Sequence, residues 1–322
     1  MEQIAKLLRQ YHAENPFPTS PANLYEPCEY ILELGGKRLR PAILLLAAQL
    51  YQDDPSPALP AAWAVELFHN FSLLHDDIMD AAPLRRGKPT VHTRWNLNTG
   101  ILSGDAMLIH AYQHLARVGN DATQRRLQSI FSRTALEVCE GQQMDMDFET
   151  SDHVAINTYI RMIELKTAVL LGCALQMGAL AAGAPESDAQ HLYEFGRLAG
   201  IAFQIQDDLL DTYGDPQKFG KQVGGDILQN KKTFLVLTAL ENATPEDAGA
   251  LQQLLQTDAS AGQEKVNAVR AIFDRNQVPE RTAAAKQAYE TQAFAHLDAV
   301  QLPEARKAGL KAFVQDLFVR EY

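Results

Sequence analysis

Asp76, Asp77 and Asp80 close one apolar run and Asp207, Asp208 and Asp211 close another, so the word Asp-Asp-x-x-Asp is written twice. In a helix the outer aspartates of each word stand one turn apart, and Asp76 shares a face with Asp80 as Asp207 does with Asp211. Like charges so placed cost roughly 0.2–0.5 kcal/mol per pair, and aspartate is a poor helix former besides. A bound cation offsets both costs. One such word reads equally well as a solvated acidic helix end; two, each behind an apolar run, read as a metal site.

Three basic clusters accompany them. Gly35-Gly36-Lys37-Arg38-Leu39-Arg40-Pro41 sets three cations around paired glycines that let a backbone approach an anion. Leu84-Arg85-Arg86-Gly87-Lys88-Pro89 follows the first aspartate word as a turn, its guanidinium groups suited to phosphate oxygens. Gly220-Lys221-Gln222-Val223-Gly224-Gly225-Asp226, with Asn230-Lys231-Lys232, follows the second word and opens a helix, a setting that favours phosphate. Each cluster alone is a solvated basic loop. Beside paired carboxylates they describe a diphosphate held from both sides.

The elements that must carry these residues are helices. Apolar residues recur every three or four positions, with no convincing run of alternating strands, which predicts an all-α protein. Helices are expected over about 23–34, 40–51, 61–80, 100–117, 122–149, 153–182, 187–213 and 226–241, with more after 244. Breakers separate them at Asp53-Asp54-Pro55-Ser56-Pro57, Gly183-Ala184-Pro185, Tyr213-Gly214-Asp215-Pro216 and Thr244-Pro245. No linker divides residues 1–322, so a single domain is expected. The flanks of the two aspartate words share little beyond an apolar run, which argues against an internal duplication.

Composition excludes several classes. With 322 residues, 46% hydrophobic and 21% charged, the chain can bury a large core. A net charge of -11 argues against a nucleic-acid partner, since phosphate backbones reward excess Lys and Arg. Cys28, Cys139 and Cys173 are odd in number and widely spaced, suggesting neither a disulfide framework nor a zinc site; a reducing cytoplasm fits. The N-terminus lacks a secretory h-region, and no stretch is expected to be long and uncharged enough to span a membrane.

Taken in order, the motifs resemble a known family. Gly35 to Pro41 comes first, then His75-Asp76-Asp77-Ile78-Met79-Asp80, Arg85-Arg86-Gly87, Gly141-Gln142-Gln143-Met144-Asp145 and Lys166-Thr167. Phe203-Gln204-Ile205-Gln206 then leads into Asp207 to Asp211, followed by Gly220-Lys221 and Asn230-Lys231. This order is similar to that of the trans-isoprenyl diphosphate synthases, over about residues 33 to 235; residues 244–322 carry no signature and look like scaffold helices.

The resemblance implies a head-to-tail prenyltransferase with the isoprenoid synthase helix bundle, a central cavity and a homodimeric assembly. Magnesium is the implied metal, with Asp76 and Asp80 holding two ions and Asp207, with Asp208 and Asp211, a third. With Arg85, Lys166, Lys221 and Lys231 these would neutralise an allylic diphosphate and ease its departure. The allylic cation left behind needs a dry cavity, and backbone and hydroxyl dipoles at Lys166 and Thr167 with the Gln204 amide would stabilise it. Isopentenyl diphosphate, the second substrate, is implied to rest on Gly36, Lys37, Arg40, His69 and Arg86. The departing diphosphate takes the last proton, so no protein base is assigned.

Product length is expected to be set below the first aspartate word, where the growing chain runs along the same helix. Phe71 lies five positions before Asp76, Ser72 four, and the word carries no insertion. In the family this pattern resembles synthases of the twenty-carbon geranylgeranyl diphosphate, with farnesyl diphosphate or a somewhat longer product as alternatives. Phe68, one turn further, is a candidate second stopper. A terpene cyclase of the same fold would need neither Lys37 and Arg40 nor a second full word. A calcium-binding or acidic interaction module would place its ligands on a loop, and these aspartates ride helices.

Overall fold

A computed structural model describes residues 2–151, 153–215, 223–257 and 262–319, and it is helical almost throughout, as the periodicity predicts. Helices α2 (Ala22–Glu33), α3 (Leu39–Gln49), α4 (Leu59–Met79), α6 (Leu97–Leu115), α7 (Asp121–Thr150) and α10 (Glu186–Tyr213) lie within three residues of the expected spans. Helix α1 (Glu2–Glu14) was not expected, because its buried contacts reduce to Ile4 and Leu8. Between α4 and α6 stand a two-stranded hairpin, β1 (Leu84–Arg85) and β2 (Lys88–Pro89), and the single turn α5 (Val91–Arg94).

Two expected helices are interrupted. The span 153–182 is α8 (Ile156–Ile163), a π-helical turn at Glu164–Ala168, and α9 (Val169–Ala181). The span 226–241 is a four-residue helix, α11 (Gly225–Leu228), then a break and α12 (Phe234–Asn242). Asn230 takes φ +58 there, and Thr233 restarts the helix as its N-cap, its side chain accepting from the Val236 amide. Asn230, four residues ahead of the apolar run that opens at Phe234, and Thr233, immediately before it, were the signals of that break. Helices α13 (Pro245–Leu254), α14 (Gly262–Arg275), α15 (Val278–Ala299) and α16 (Glu304–Val319) complete the chain.

The chain forms two compact units, Met1–Ala135 with Cys173–Tyr193, and Leu136–Gly172 with Glu194–Tyr322. In the first, α4 is buried all round from Ala61 to Phe68 and packs along α6 and α3, as a helix apolar on every face must. Trp63, Phe68, Phe131, Leu44 and Leu45 are among its largest filled positions, each worth roughly 1.5–3 kcal/mol on burial. The second holds two clusters, one around Tyr159, Ile163, Ile205 and Phe234, the other joining Ile227, Leu235, Val266, Val269 and Phe273.

One expectation about membranes needs correction. By length and composition Ile156–Ala181 is apolar enough to cross a bilayer, but it is mostly buried in the protein and carries Arg161, Glu164 and Lys166. Burial within the protein explains its hydropathy without a membrane.

Candidate active site

The first aspartate word is the C-terminal end of α4, with Asp80 as the cap residue. Helix α6 approaches this end closely because Gly104 has no side chain: a Cβ there would stand 2.3 Å from His75 Nε2. His75 in turn donates Nε2–H to the Ile101 carbonyl at 3.1 Å. The three aspartates then divide. Asp80 is exposed, the Asp76 side chain is partly so, and Asp77 is buried.

Asp77 is held by Arg85. Both Asp77 oxygens accept from Arg85 Nε, at 2.9 and 2.8 Å, and Nη2 lies 2.8 Å from Oδ1. The same Nη2 is 3.6 Å from Asp76 Oδ2. Arg85, expected to grip phosphate, is therefore first a strut between the hairpin and the aspartate word. The turn that aims it has φ +52 at Arg86 and +76 at Gly87, the double positive of a type I′ hairpin.

Arg86 leaves that turn toward Gly36. A Cβ on Gly36, which sits at φ +146, would come within 2.9 Å of the Arg86 guanidinium. On α3, Arg40 Nη1 donates to His69 Nε2 at 3.1 Å, so that nitrogen carries no proton and the imidazole is neutral. Burial pushes the His69 pKa well below its ordinary value, and Arg40, Arg86 and Arg85 reinforce the shift. Burial likewise lowers Arg40 to about 10, against the opposing pull of Glu66. Gly36, Arg40, His69 and Arg86 are thus brought together as expected, with Lys37 exposed at the edge.

Glu66 was missed. Buried among these cations, it accepts from Asn70 Nδ2 at 3.1 Å, and its other oxygen has no hydrogen-bond partner among the described residues. Burial raises its pKa, while Arg38, Asn70, Arg40 and Arg86 pull the other way. A single charge in the otherwise apolar run Ala61 to Phe68 was the available signal.

The second word belongs to the second unit and divides in the same manner. Asp208 is buried, and its Oδ2 accepts from Tyr159 Oη at 2.5 Å and from the Phe234 amide at 3.0 Å. Its other oxygen accepts from Gln204 Nε2 at 3.4 Å. Asp208, expected among the metal ligands, is committed to fixing α10 against α8 and the start of α12. Asp207 remains partly exposed; Asp211 accepts from the Asp226 amide at 3.0 Å and so ties the word to α11. Tyr159, a lone tyrosine on a helix, gave no sequence signal.

Lys166 and Thr167 lie in the π-helical turn, where the Val169 amide reaches back five residues to the Glu164 carbonyl. Such wide turns gather at functional sites. Gly141 on α7 makes room for this one, since a Cβ there would stand 2.2 Å from the Lys166 nitrogen. Asp145, one turn on, accepts from Lys166 Nζ at 2.6 Å. Lys231 Nζ is 3.5 Å from Asp226 Oδ1. Lys221 lies outside the described residues.

Below the first word, Phe71 is stacked edge-on to His75 at 4.7 Å and Phe68 follows at 5.6 Å, itself buried against Phe131. Ser72 donates to the His69 carbonyl at 2.8 Å. Phe71 is partly exposed and Phe68 is not, so Phe71 is the aromatic available to a ligand.

Residues 21–272 match the sequence profile of the Polyprenyl synthetase family. The chain belongs to that family. It is 44% identical over 230 residues to the geranylgeranyl diphosphate synthase of Methanosarcina mazei, covering 71% of each chain. To the short chain isoprenyl diphosphate synthase of Methanothermobacter thermautotrophicus it is 34% identical over 316 residues, 96% of each. A crystal structure of a geranylgeranyl pyrophosphate synthase superposes with a TM-score of 0.94 at 45% identity, over 100% of this chain and 99% of that one. This polyprenyl synthetase is a trans-prenyltransferase with the all-α isoprenoid synthase fold.

The carboxylates of the polyprenyl synthetase suit a hard, partly hydrated cation. Among the described residues no three His, Cys, Asp or Glu side chains converge into an all-protein cage. Magnesium keeps several waters and binds through one or two carboxylates plus substrate phosphates, which is what a partly exposed Asp76 with an exposed Asp80 offers.

Proposed function

We propose that this enzyme condenses isopentenyl diphosphate with an allylic diphosphate, head to tail, and stops at geranylgeranyl diphosphate. The observation that supports this reading is a second cluster of cations. Gly36, Arg40, His69 and Arg86 form a basic cluster distinct from the carboxylates of the first aspartate word. A cyclase consumes one diphosphate and has no use for it. A condensation has two diphosphates to hold apart, one to expel and one to keep.

In this assignment Arg40, Arg86 and Lys37 bind the diphosphate that is kept. A neutral His69 orients Arg40 without cancelling its charge. Asp76 and Asp80 are assigned two magnesium ions, and Asp207 with Asp211 a third, with Asp208 an anchor. Magnesium supplies Lewis-acid neutralisation of the leaving diphosphate. Lys166, Lys231 and Lys221 add charge to that diphosphate, and Arg85 does so through Nη2 while bracing Asp77. In this assignment backbone and hydroxyl dipoles at Lys166 and Thr167, in the π-helical turn, face the allylic cation with the Gln204 amide and need not reorganise. The released diphosphate takes the proton.

The partly exposed Phe71, backed by buried Phe68 and flanked by Ser72, supports a short product. The relatives named geranylgeranyl diphosphate synthase support twenty carbons. A homodimer is supported by α6, which presents Ile101, Leu102 and Ile109 at 42, 59 and 60% exposure, an apolar strip that water alone does not favour. Cys28, Cys139 and Cys173 stand outside any disulfide, which suits a cytoplasmic setting.

The test is incubation with magnesium, isopentenyl diphosphate and dimethylallyl, geranyl or farnesyl diphosphate, with products followed by mass spectrometry. A twenty-carbon diphosphate is expected, abolished by a chelator and by Asp76→Ala. Cyclic hydrocarbon formed from farnesyl diphosphate alone would overturn the condensation.

A further inference from the structure

The break after α11 is held from outside the motifs. Asn230 sits at φ +58, a region that side-chain-bearing residues avoid and asparagine tolerates best. Its Oδ1 accepts from Lys265 Nζ at 2.5 Å, and its Nδ2 donates to the Thr257 carbonyl at 3.4 Å. Lys265 Nζ donates to that same carbonyl at 3.0 Å. This lysine stands on α14 and is only 2% exposed, beside Val266, which packs in one cluster with Ile227 of α11. Burying an ammonium is costly, and a methionine would fill similar volume; what the amine adds is its donors, aimed at Asn230 and Thr257.

The other end of α11 is tied to the second aspartate word. Asp211 accepts from the Asp226 amide, and its carbonyl takes the Gly224 amide at 2.6 Å. Between these two anchors Lys231 donates its amide to the Asp226 carbonyl at 2.9 Å and extends its side chain, 57% exposed, past the Asp226 carboxylate. Asn230 immediately precedes Lys231, so the left-handed turn decides where that side chain leaves the backbone.

We propose that Lys265 is a positioning residue for prenyl transfer: it holds Asn230 in the left-handed turn and thereby delivers Lys231 to the allylic diphosphate. The proposal rests on the assignment of Lys231 to that diphosphate. It gives α14, in the region the motifs leave unmarked, a part in substrate binding beyond scaffold.

Steady-state kinetics with farnesyl diphosphate and isopentenyl diphosphate, well below each variant's melting temperature, test it. Lys265→Met raises KM for farnesyl diphosphate about tenfold and leaves KM for isopentenyl diphosphate within about twofold, and Lys265→Arg recovers part of the loss. The deciding variant is Lys265→Met with Lys231→Ala. If Lys265 acts through Lys231, the pair is no worse than Lys231→Ala alone. Additive losses, or an equal rise in both KM values, overturn the proposal. Should Lys265→Met not fold, Asn230→Ala removes the acceptor and enters the same cycle with Lys231→Ala. A Lys231→Ala enzyme with unchanged KM fells the assignment of Lys231 and the proposal with it, whereas a clear loss there with additive pairs fells the role of Lys265 alone.

Discussion

Within each aspartate word the residues have separate tasks. Asp77 and Asp208 are buried and spend their oxygens on Arg85 and on Tyr159, Gln204 and the Phe234 amide, while Asp80 is exposed and Asp76, Asp207 and Asp211 are partly exposed. Two variants separate the tasks. Asp208→Ala strands a buried hydroxyl and a buried amide and costs about 1–3 kcal/mol for each, read as a lower urea midpoint. Asp207→Ala leaves the midpoint near wild type but lowers turnover about a hundredfold or more. Equal loss of stability in both variants would refute the division. Phe71→Ala opens the floor beneath the word, and chromatography of dephosphorylated products then shows chains longer than twenty carbons; an unchanged distribution removes Phe71 from product control. The outer aspartates were legible in the sequence from their one-turn spacing. That the inner ones are anchors was not, since Tyr159 lies 49 positions from Asp208 in the chain.

At the scale of elements, the irregular turns hold the residues of the family motifs, Lys166 and Thr167 in one and Asn230 and Lys231 in another. The Glu164–Ala168 turn is accommodated by Gly141, the first residue of a motif whose purpose the sequence alone did not disclose. Gly141→Ala drives a methyl into the Lys166 backbone, and the overpacking costs about 1–3 kcal/mol, lowering the melting temperature by several degrees. A melting temperature equal to wild type would mean that α7 does not need that close approach. The break at Asn230 is a second instance. Helical periodicity runs unbroken through 226–241 because the apolar residues on each side keep the spacing of one helix. Only the left-handed residue and its side-chain partners show that the helix stops and restarts.

For the whole molecule, His114 gives stability a dependence on pH. Burial, then Arg117 and His110, push its pKa down to about 4 from 6.5, and Tyr11 contacts its Nδ1 at 3.0 Å. The unfolded chain therefore takes up this proton first as pH falls. The contribution is whole above pH 6.5 and is lost between there and pH 4, amounting to about 3 kcal/mol at most. His110, lowered by burial and Arg117, acts in the same direction. The melting temperature of His114→Gln should accordingly fall less steeply than wild type across that window; parallel curves would show that His114 is not the group responsible. Assembly belongs to this scale too. Ile109→Glu places a charge in the exposed apolar strip of α6, and light scattering is expected to report a dimer for the wild type and a monomer for the variant; a monomeric wild type would remove this strip from assembly.

The sequence by itself determined the all-α class, the limits of most helices and the motif set that marks the family, because these depend on periodicity and on residue types a few positions apart. The tertiary structure decided which aspartates are buried struts and which stay partly exposed, that Arg85 braces Asp77, and that Glu66 lies among the cations of Arg38, Arg40 and Arg86. Those outcomes depend on burial and on partners distant in the chain. A carboxylate's role is set by what surrounds it after folding: in water it can take a metal, and in the interior it must be satisfied by the protein.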